Sequence, residues 1–168
     1  MALREIRKEG DPILRKECRP VKEINERMQV LIEDMFDTMY EANGVGLAAP
    51  QIGILRQLVV IDVNPEEPEP LVLINPEIIE SEGEETDQEG CLSVPGMSGA
   101  VKRAAKVKVR TMDMEMQPYE LEAEGLLARC MQHEIDHLHG VLYIDKVIGE
   151  LHSAEEEAEE ADNAEEGE

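Results

Sequence analysis

A single domain that mixes helices with antiparallel strands is the fold class the sequence predicts. The 168 residues, 42% of them apolar, suit one hydrophobic core. Two stretches carry apolar residues at helical spacing, and the segments Ala105 to Thr111 and Tyr119 to Glu124 alternate as a paired antiparallel ribbon does. With one Phe, three Tyr, no Trp and nine Met, the core has to be assembled from Leu, Ile, Val and Met.

Taken in order, Asp11-Pro12 and Arg19-Pro20 punctuate an irregular amino-terminal arm. Ile24, Met28, Leu31, Ile32, Met35 and Met39 then mark one face of a helix that Asn43-Gly44 stops. The glycine-rich loop GVGLAAPQIG, residues 44–53, feeds a strand over Leu58 to Val63. NPEEPEP is a loop by its prolines, and Leu71 to Ile79 is the next strand. Residues 81–99 hold so many turn formers that no regular structure is expected there. After the alternating pair, Leu126, Leu127, Cys130, Met131, Ile135, His137 and Leu138 give a second helix ending at Gly140. No internal repeat is present. A folded body, residues 1–149, is separated from an acidic tail, residues 150–168, whose Glu/Ala block lacks an apolar face to bury and is read as disordered.

The net charge is −23, and ten acidic residues with no Lys or Arg fall within Glu150 to Glu168. The body remains acidic without them and repels phosphate, and the one basic cluster, Lys102 to Arg110, lies on alternating strand positions. Direct nucleic-acid binding is therefore excluded. MALREIRKEG holds no signal-peptide core, and no run of eighteen apolar residues occurs, so the expectation is a cytoplasmic protein without a membrane partner. The lack of a transit peptide favours a bacterial over an organellar protein. Cys18, Cys91 and Cys130, few and widely spaced, suit reduced thiols rather than a disulfide framework.

The chemistry-bearing stretch is ARCMQHEIDHLH, residues 128–139. One helical turn, about 6 Å of rise, separates His133 from His137, so both imidazoles reach one ion, while Glu134, about 100° round the helix, can touch a bound water without ligating. An HExxH helix alone leaves the class open, because zinc peptidases use the same pair with a downstream third ligand. His139 points to another face and His152 lies in the polar tail, but Asp145 and Glu150 remain available to a general HExxH zinc metallopeptidase. Cys130 faces the histidine side, yet its Cα would stand about 10.5 Å along the axis from that of His137, too far for a thiol that must come within roughly 2.3 Å of the ion. It reads as a core or pocket-lining residue, and Cys18 as an ordinary semi-buried thiol. Cys91 differs, because Gly90 before it and Pro95-Gly96 after it shape a tight loop. Cys91, His133 and His137 make three ligands with a position open for water, the arrangement of a catalytic site. A non-catalytic metal-binding module leaves Glu134 and that open position without a job.

Three blocks, GVGLAAPQ at 44–51, EGCLSVPG at 89–96 and QHEIDHLHG at 132–140, resemble the peptide deformylase family in order and spacing. The DPILRK arm and the VKRAAKVKVR strand resemble it too, so the likeness covers about residues 3–148. The resemblance implies an α+β fold in which antiparallel sheets wrap a central helix bearing the HExxH pair. It also implies an activity for the body, residues 1–149: hydrolysis of the N-formyl group from the formyl-methionine that begins newly synthesised polypeptides, releasing formate.

Carried over by position, the resemblance makes Cys91, His133 and His137 the metal ligands and Glu134 the general base. It casts the Gln51 side-chain amide and the Leu92 backbone N–H as donors to the developing oxyanion, and Val45, Gly46 and Gly90 as the holders of the substrate backbone. The family's apolar pocket for the methionine side chain is one that Leu126 and Cys130 could line. Thiolate with two imidazoles suits Zn2+ by softness, whereas the resemblance implies Fe2+ as the native ion, with Ni2+ or Co2+ as working substitutes. Arg103 and Asp136, charges near the metal helix, have two readings: a pair that orients the helix, or a solvated surface pair. Formylmethionyl nascent peptides are the expected partners. The Glu-rich end departs from relatives whose longer basic helix docks on the ribosome, so proximity to the ribosome has no basic docking helix to support it here.

Overall fold

The computed structural model describes residues 2–64 and 66–153 of the chain. Helix α1 (Glu26–Glu41) starts where the Asn25 side chain accepts the Met28 N–H at 3.0 Å, and it buries Leu31, Ile32, Met35 and Met39. The chain then turns at Asn43, whose φ of 57° is tolerated by asparagine. Next come β1 (Gly46–Ala48), β2 (Leu58–Ile61), β3 (Leu71–Glu82), β4 (Glu85–Cys91), β5 (Val94–Arg103), β6 (Lys106–Met112) and β7 (Pro118–Glu124). Helix α2 (Gly125–His137) and β8 (Val147–Ser153) complete the order.

The strands form two antiparallel sheets, a five-stranded one ordered β1-β2-β3-β6-β7 and a three-stranded one ordered β4-β5-β8. The alternating segments pair as the sequence predicts, β6 against β7 from Lys106↔Glu124 to Met112↔Pro118. The larger sheet is covered on both faces. Leu47, Leu58, Val60 and Ile74 pack with the α1 side chains, while Ala48, Val59, Ile61, Leu73 and Val109 pack with Met131 and Ile135 of α2 and with Leu138, which caps it. This explains why β2 is apolar at every position rather than alternating.

Residues 81–99, expected to lack regular structure, instead hold the end of β3, all of β4 and half of β5. β4 is polar and exposed along most of its length, with Glu89 the one buried residue, so no apolar alternation marks it. Its two-residue connection to β5 pairs Cys91 with Val94. The start of the acidic segment also differs from expectation: Glu150 to Ser153 lie in β8, where Ser153 pairs with Met97 and His152 with Ser98. The Glu/Ala block beyond Ser153 lies outside the described residues. Among the described residues no helix is long and apolar enough to cross a membrane.

The stop after α2 is set by Gly140. Its φ is 75°, and a Cβ there would stand 2.5 Å from the Arg15 backbone oxygen. Gly140→Ala combines left-handed strain with a clash against main chain, so a stability loss of about 2 to 4 kcal/mol is expected from the urea midpoint. A midpoint within error of the parent would show that the arm moves aside at no cost.

Candidate metal centre and active site

Helix α2 presents two different faces. Ala128, Met131, Ile135 and Leu138 enter the core under the five-stranded sheet, while Arg129, His133, Glu134 and His137 are buried polar groups. Buried polar groups need partners, and Arg129, His133 and His137 find them on the three-stranded sheet, whereas Glu134 does not. Glu89, two residues before Cys91, accepts from His133 Nδ1 at 2.8 Å, from Arg103 Nε and Nη2 at 2.7 and 2.9 Å, and from Arg129 Nη1 at 2.6 Å. Burial alone would raise the Glu89 pKa, but the hydrogen bonds from His133 and Arg103 outweigh it and hold the group down at about 2. The expected Arg103–Asp136 pair is present at 2.8 Å, and Lys146 joins Asp136 at 3.1 Å.

With His133 Nδ1 engaged by Glu89, its Nε2 faces the site. The nearest ligand atoms of Cys91, His133 and His137 lie within 4.8 Å of one another, and Cys91 Sγ is 3.3 Å from His137 Nε2. One thiol and two imidazoles fit a borderline-soft divalent ion. Burial and the neighbouring His133 lower the His137 pKa well below its usual range. Burial opposes a charge on His133 too, yet hydrogen bonds with Cys91 and Glu89 carry that imidazole up to about 10. Glu134 lies beside the cluster, Oε1 3.6 Å from His133 Nε2, and its buried Oε2 has no protein partner. Burial pushes its pKa up to about 7; the His133 charge acts in the opposite direction.

Gln51 sits in the single 3-10 turn after β1. Its Oε1 accepts the Ala48 N–H at 2.9 Å, and Nε2 reaches Ser93 Oγ at 3.0 Å and Cys91 Sγ at 3.5 Å. Anchoring the carbonyl end thus aims the amide NH2 at the site. Leu92 occupies the β4–β5 turn, its side chain so near Gly44 that a Cβ there would meet Leu92 Cδ1 at 2.7 Å. Val45, Gly46, Gly90, Leu92, Leu126, Cys130, His133 and Glu134 all line one cleft of about 600 Å³. Gly46 is required by proximity, since a Cβ would lie 2.7 Å from Cys130 Sγ and 3.0 Å from Glu134 Cγ.

The remaining sequence candidates lie elsewhere. Asp145 pairs with Arg15 and accepts the Leu142 N–H, Glu150 is exposed on β8, and His139 pairs with Glu17 at 3.0 Å on the surface. His152 is likewise exposed, and among the described residues no side chain downstream of His137 joins the histidine pair. Cys18 is buried in the core, and the three cysteines are free thiols. Sequence reasoning missed Glu89 and Arg129. A carboxylate two residues before a ligand is a usable signal on a strand, where both side chains leave the same face, but it is lost when the segment is read as a loop.

A family model described as polypeptide deformylase matches residues 3–152. The chain belongs to the polypeptide deformylase family. A peptide deformylase of Agathobacter rectalis is 61% identical over 152 residues, covering 90% of this chain and 94% of that relative. Among solved structures, the Legionella pneumophila peptide deformylase superposes with a TM-score of 0.85 at 52% identity, over 88% of this chain and 87% of that one. The Thermotoga maritima peptide deformylase does so with 0.84 at 43% identity, over 89% and 100%. The chain is thus a metal-dependent hydrolase that removes the N-formyl group from newly made polypeptides.

Replacing Glu89 tests the polar joint of this deformylase. Glu89→Gln keeps the shape but leaves the Arg103 and Arg129 guanidiniums short of a buried counter-charge, so a loss of roughly 3 to 5 kcal/mol is expected from denaturant unfolding. Metal affinity, measured by competition with a chromogenic chelator, should fall about 10- to 100-fold as His133 loses its orienting partner.

Proposed function

We propose that Cys91, His133 and His137 hold one divalent ion, Fe2+ in the cell, and that Glu134 acts as general base on the formyl group of a formylmethionyl peptide in the cleft. The observation that carries this reading is the Glu134 carboxylate: buried, without a protein partner, and set beside three converging ligand atoms. When bound, the ion supplies Lewis acidity, acidifying water and polarising the formyl carbonyl.

The protein groups do the rest. Glu134 takes the proton of the attacking water at Oε2 and returns it to the departing amine, so the C–N bond breaks to give formate and a free amino terminus. Gln51 Nε2 and the Leu92 N–H donate to the carbonyl oxygen as it gains charge, an effect worth about 3 to 4 kcal/mol per donor in comparable sites. Val45, Gly46 and Gly90 present backbone along which the peptide lies, since a side chain at Gly46 would fill the channel. Leu126 and Cys130 on the cleft wall offer an apolar seat to the methionine side chain. An oxidisable ferrous ion beside a ligating thiol suits a reducing cytoplasm, in keeping with three free cysteines.

The purified, metal-loaded protein mixed anaerobically with formyl-Met-Ala-Ser should release formate, and with the acetyl peptide far less acetate. Glu134→Ala should keep its metal and lose at least about 100-fold in kcat, whereas Cys91→Ala should lose the metal itself. Full turnover by metal-loaded Glu134→Ala would remove the general-base role.

A further inference from the structure

Residues 7–9 of the irregular arm touch both loops that carry the proposed oxyanion donors. The Arg7 N–H donates to the Gln51 carbonyl at 2.6 Å, and the Glu9 N–H donates to the Ser93 carbonyl at 2.7 Å. Between them, Lys8 Nζ reaches the Leu92 carbonyl at 3.3 Å. Gln51 belongs to the turn after β1 in one sheet and Leu92-Ser93 to the β4–β5 turn in the other, so no strand ladder joins them directly.

We propose that this arm is a strap that fixes the distance between the two oxyanion-donating loops, with Lys8 as a positioning residue. The proposal rests on the oxyanion roles given above to Gln51 and Leu92. Two residues of chain span at most about 7 Å, so the paired N–H groups of Arg7 and Glu9 act as a short ruler between the Gln51 and Ser93 carbonyls. The strap is tied down outside the site: Arg4 bonds Thr38 and Asp34 of α1, and Asp11 bonds Arg7 and the Ile13 N–H. Across the gap side-chain contacts continue the link, from Gln51 Nε2 to Ser93 Oγ and Cys91 Sγ. Oxyanion donors act through placement, and a displacement of about 1 Å can lose a large part of their effect. Loosening the strap therefore lowers kcat; because Lys8 itself lines the cleft, KM stays close to the parent's only with a substrate that carries no charge for it to meet.

The test uses the metal-loaded enzyme and formyl-Met-Ala-Ser amide, uncharged at its end so that the Lys8 charge does not act on binding. Glu9→Pro deletes the N–H to Ser93, Glu9→Ala keeps it, Lys8→Met removes the ammonium donor, and Lys8→Arg restores one. Expected are a roughly tenfold drop in kcat for Glu9→Pro and a smaller one, about threefold, for Lys8→Met, with KM within about twofold and metal content equal to the parent. Glu9→Ala and Lys8→Arg should match the parent. If Glu9→Pro does not fold, the Lys8 pair decides, because that side chain is exposed. Parent kcat in every folded strap variant, or a loss confined to KM or following metal loss, overturns the strap. Gln51→Ala separates the two ideas: if it retains kcat, the oxyanion reading fails, whereas if it is impaired while the strap variants are not, only the strap fails.

Discussion

A carboxylate removed from water is costly unless each oxygen meets donors and each nearby cation meets a counter-charge. Glu89 meets that condition by accepting from His133, Arg103 and Arg129 at once. Arg103 extends the network to Asp136 on the next turn of α2, and Arg129 also donates to the Val101 carbonyl on β5. One strand of the small sheet, its neighbour and the helix are thereby fixed in a single register. A buried ion cluster of this kind adds little net stability over an apolar core, but it penalises alternatives severely. A one-residue slip of β4 would turn Glu89 to solvent, strand two guanidiniums and carry Cys91 away from His137.

The same joint explains why the histidine helix can be rigid on one side and reactive on the other. Met131, Ile135 and Leu138 are embedded under the five-stranded sheet, so the helix axis has no freedom to tilt. The opposite face meets polar groups from β4 and β5, and between them Cys91, His133 and Glu134 border the cleft. β1 closes that cleft from the far side at a distance only glycine allows, as Gly46 shows against Cys130 and Glu134. Candidate ligands from separate elements therefore meet without any of them standing on a long loop.

Apolar periodicity located both helices and the β6–β7 ribbon, because each buries a regular face, while β2 showed as an unbroken apolar run because both its faces are covered. It was blind to β4, whose inward residue is an acid, and to β8, whose residues Glu150 and His152 are exposed and polar. HExxH spacing and the glycine-flanked Cys91 singled out the three donors whose ligand atoms lie within 4.8 Å of one another, since helix geometry and softness of donors are local properties. Glu89 and Arg129 were illegible for the converse reason: their value lies in partners 14 to 44 positions away, which no local pattern records. Asp145 shows the same limit in reverse, a plausible downstream ligand whose carboxylate is committed to Arg15 and the Leu142 N–H.

That commitment joins the amino-terminal arm to the end of α2. Arg15 reaches both Asp145 and the Gly140 carbonyl, and the Cys18 N–H donates to Leu138 O at 2.9 Å. At its other end the arm is held on α1 through Arg4 and buried Asp34. A segment with almost no apolar face is thus ordered by hydrogen bonds to fixed acceptors, and it crosses from α1, past Gln51 and Ser93, to the close of the metal helix. The cost of ordering such a chain, about 1 to 2 kcal/mol per residue, must be offset by those bonds and by Ile6, Leu14 and Val21 packing beneath it. Leu14, 1% exposed, adds the full burial of a large apolar side chain to those bonds, and so an arm that reads as irregular is still part of the folded body.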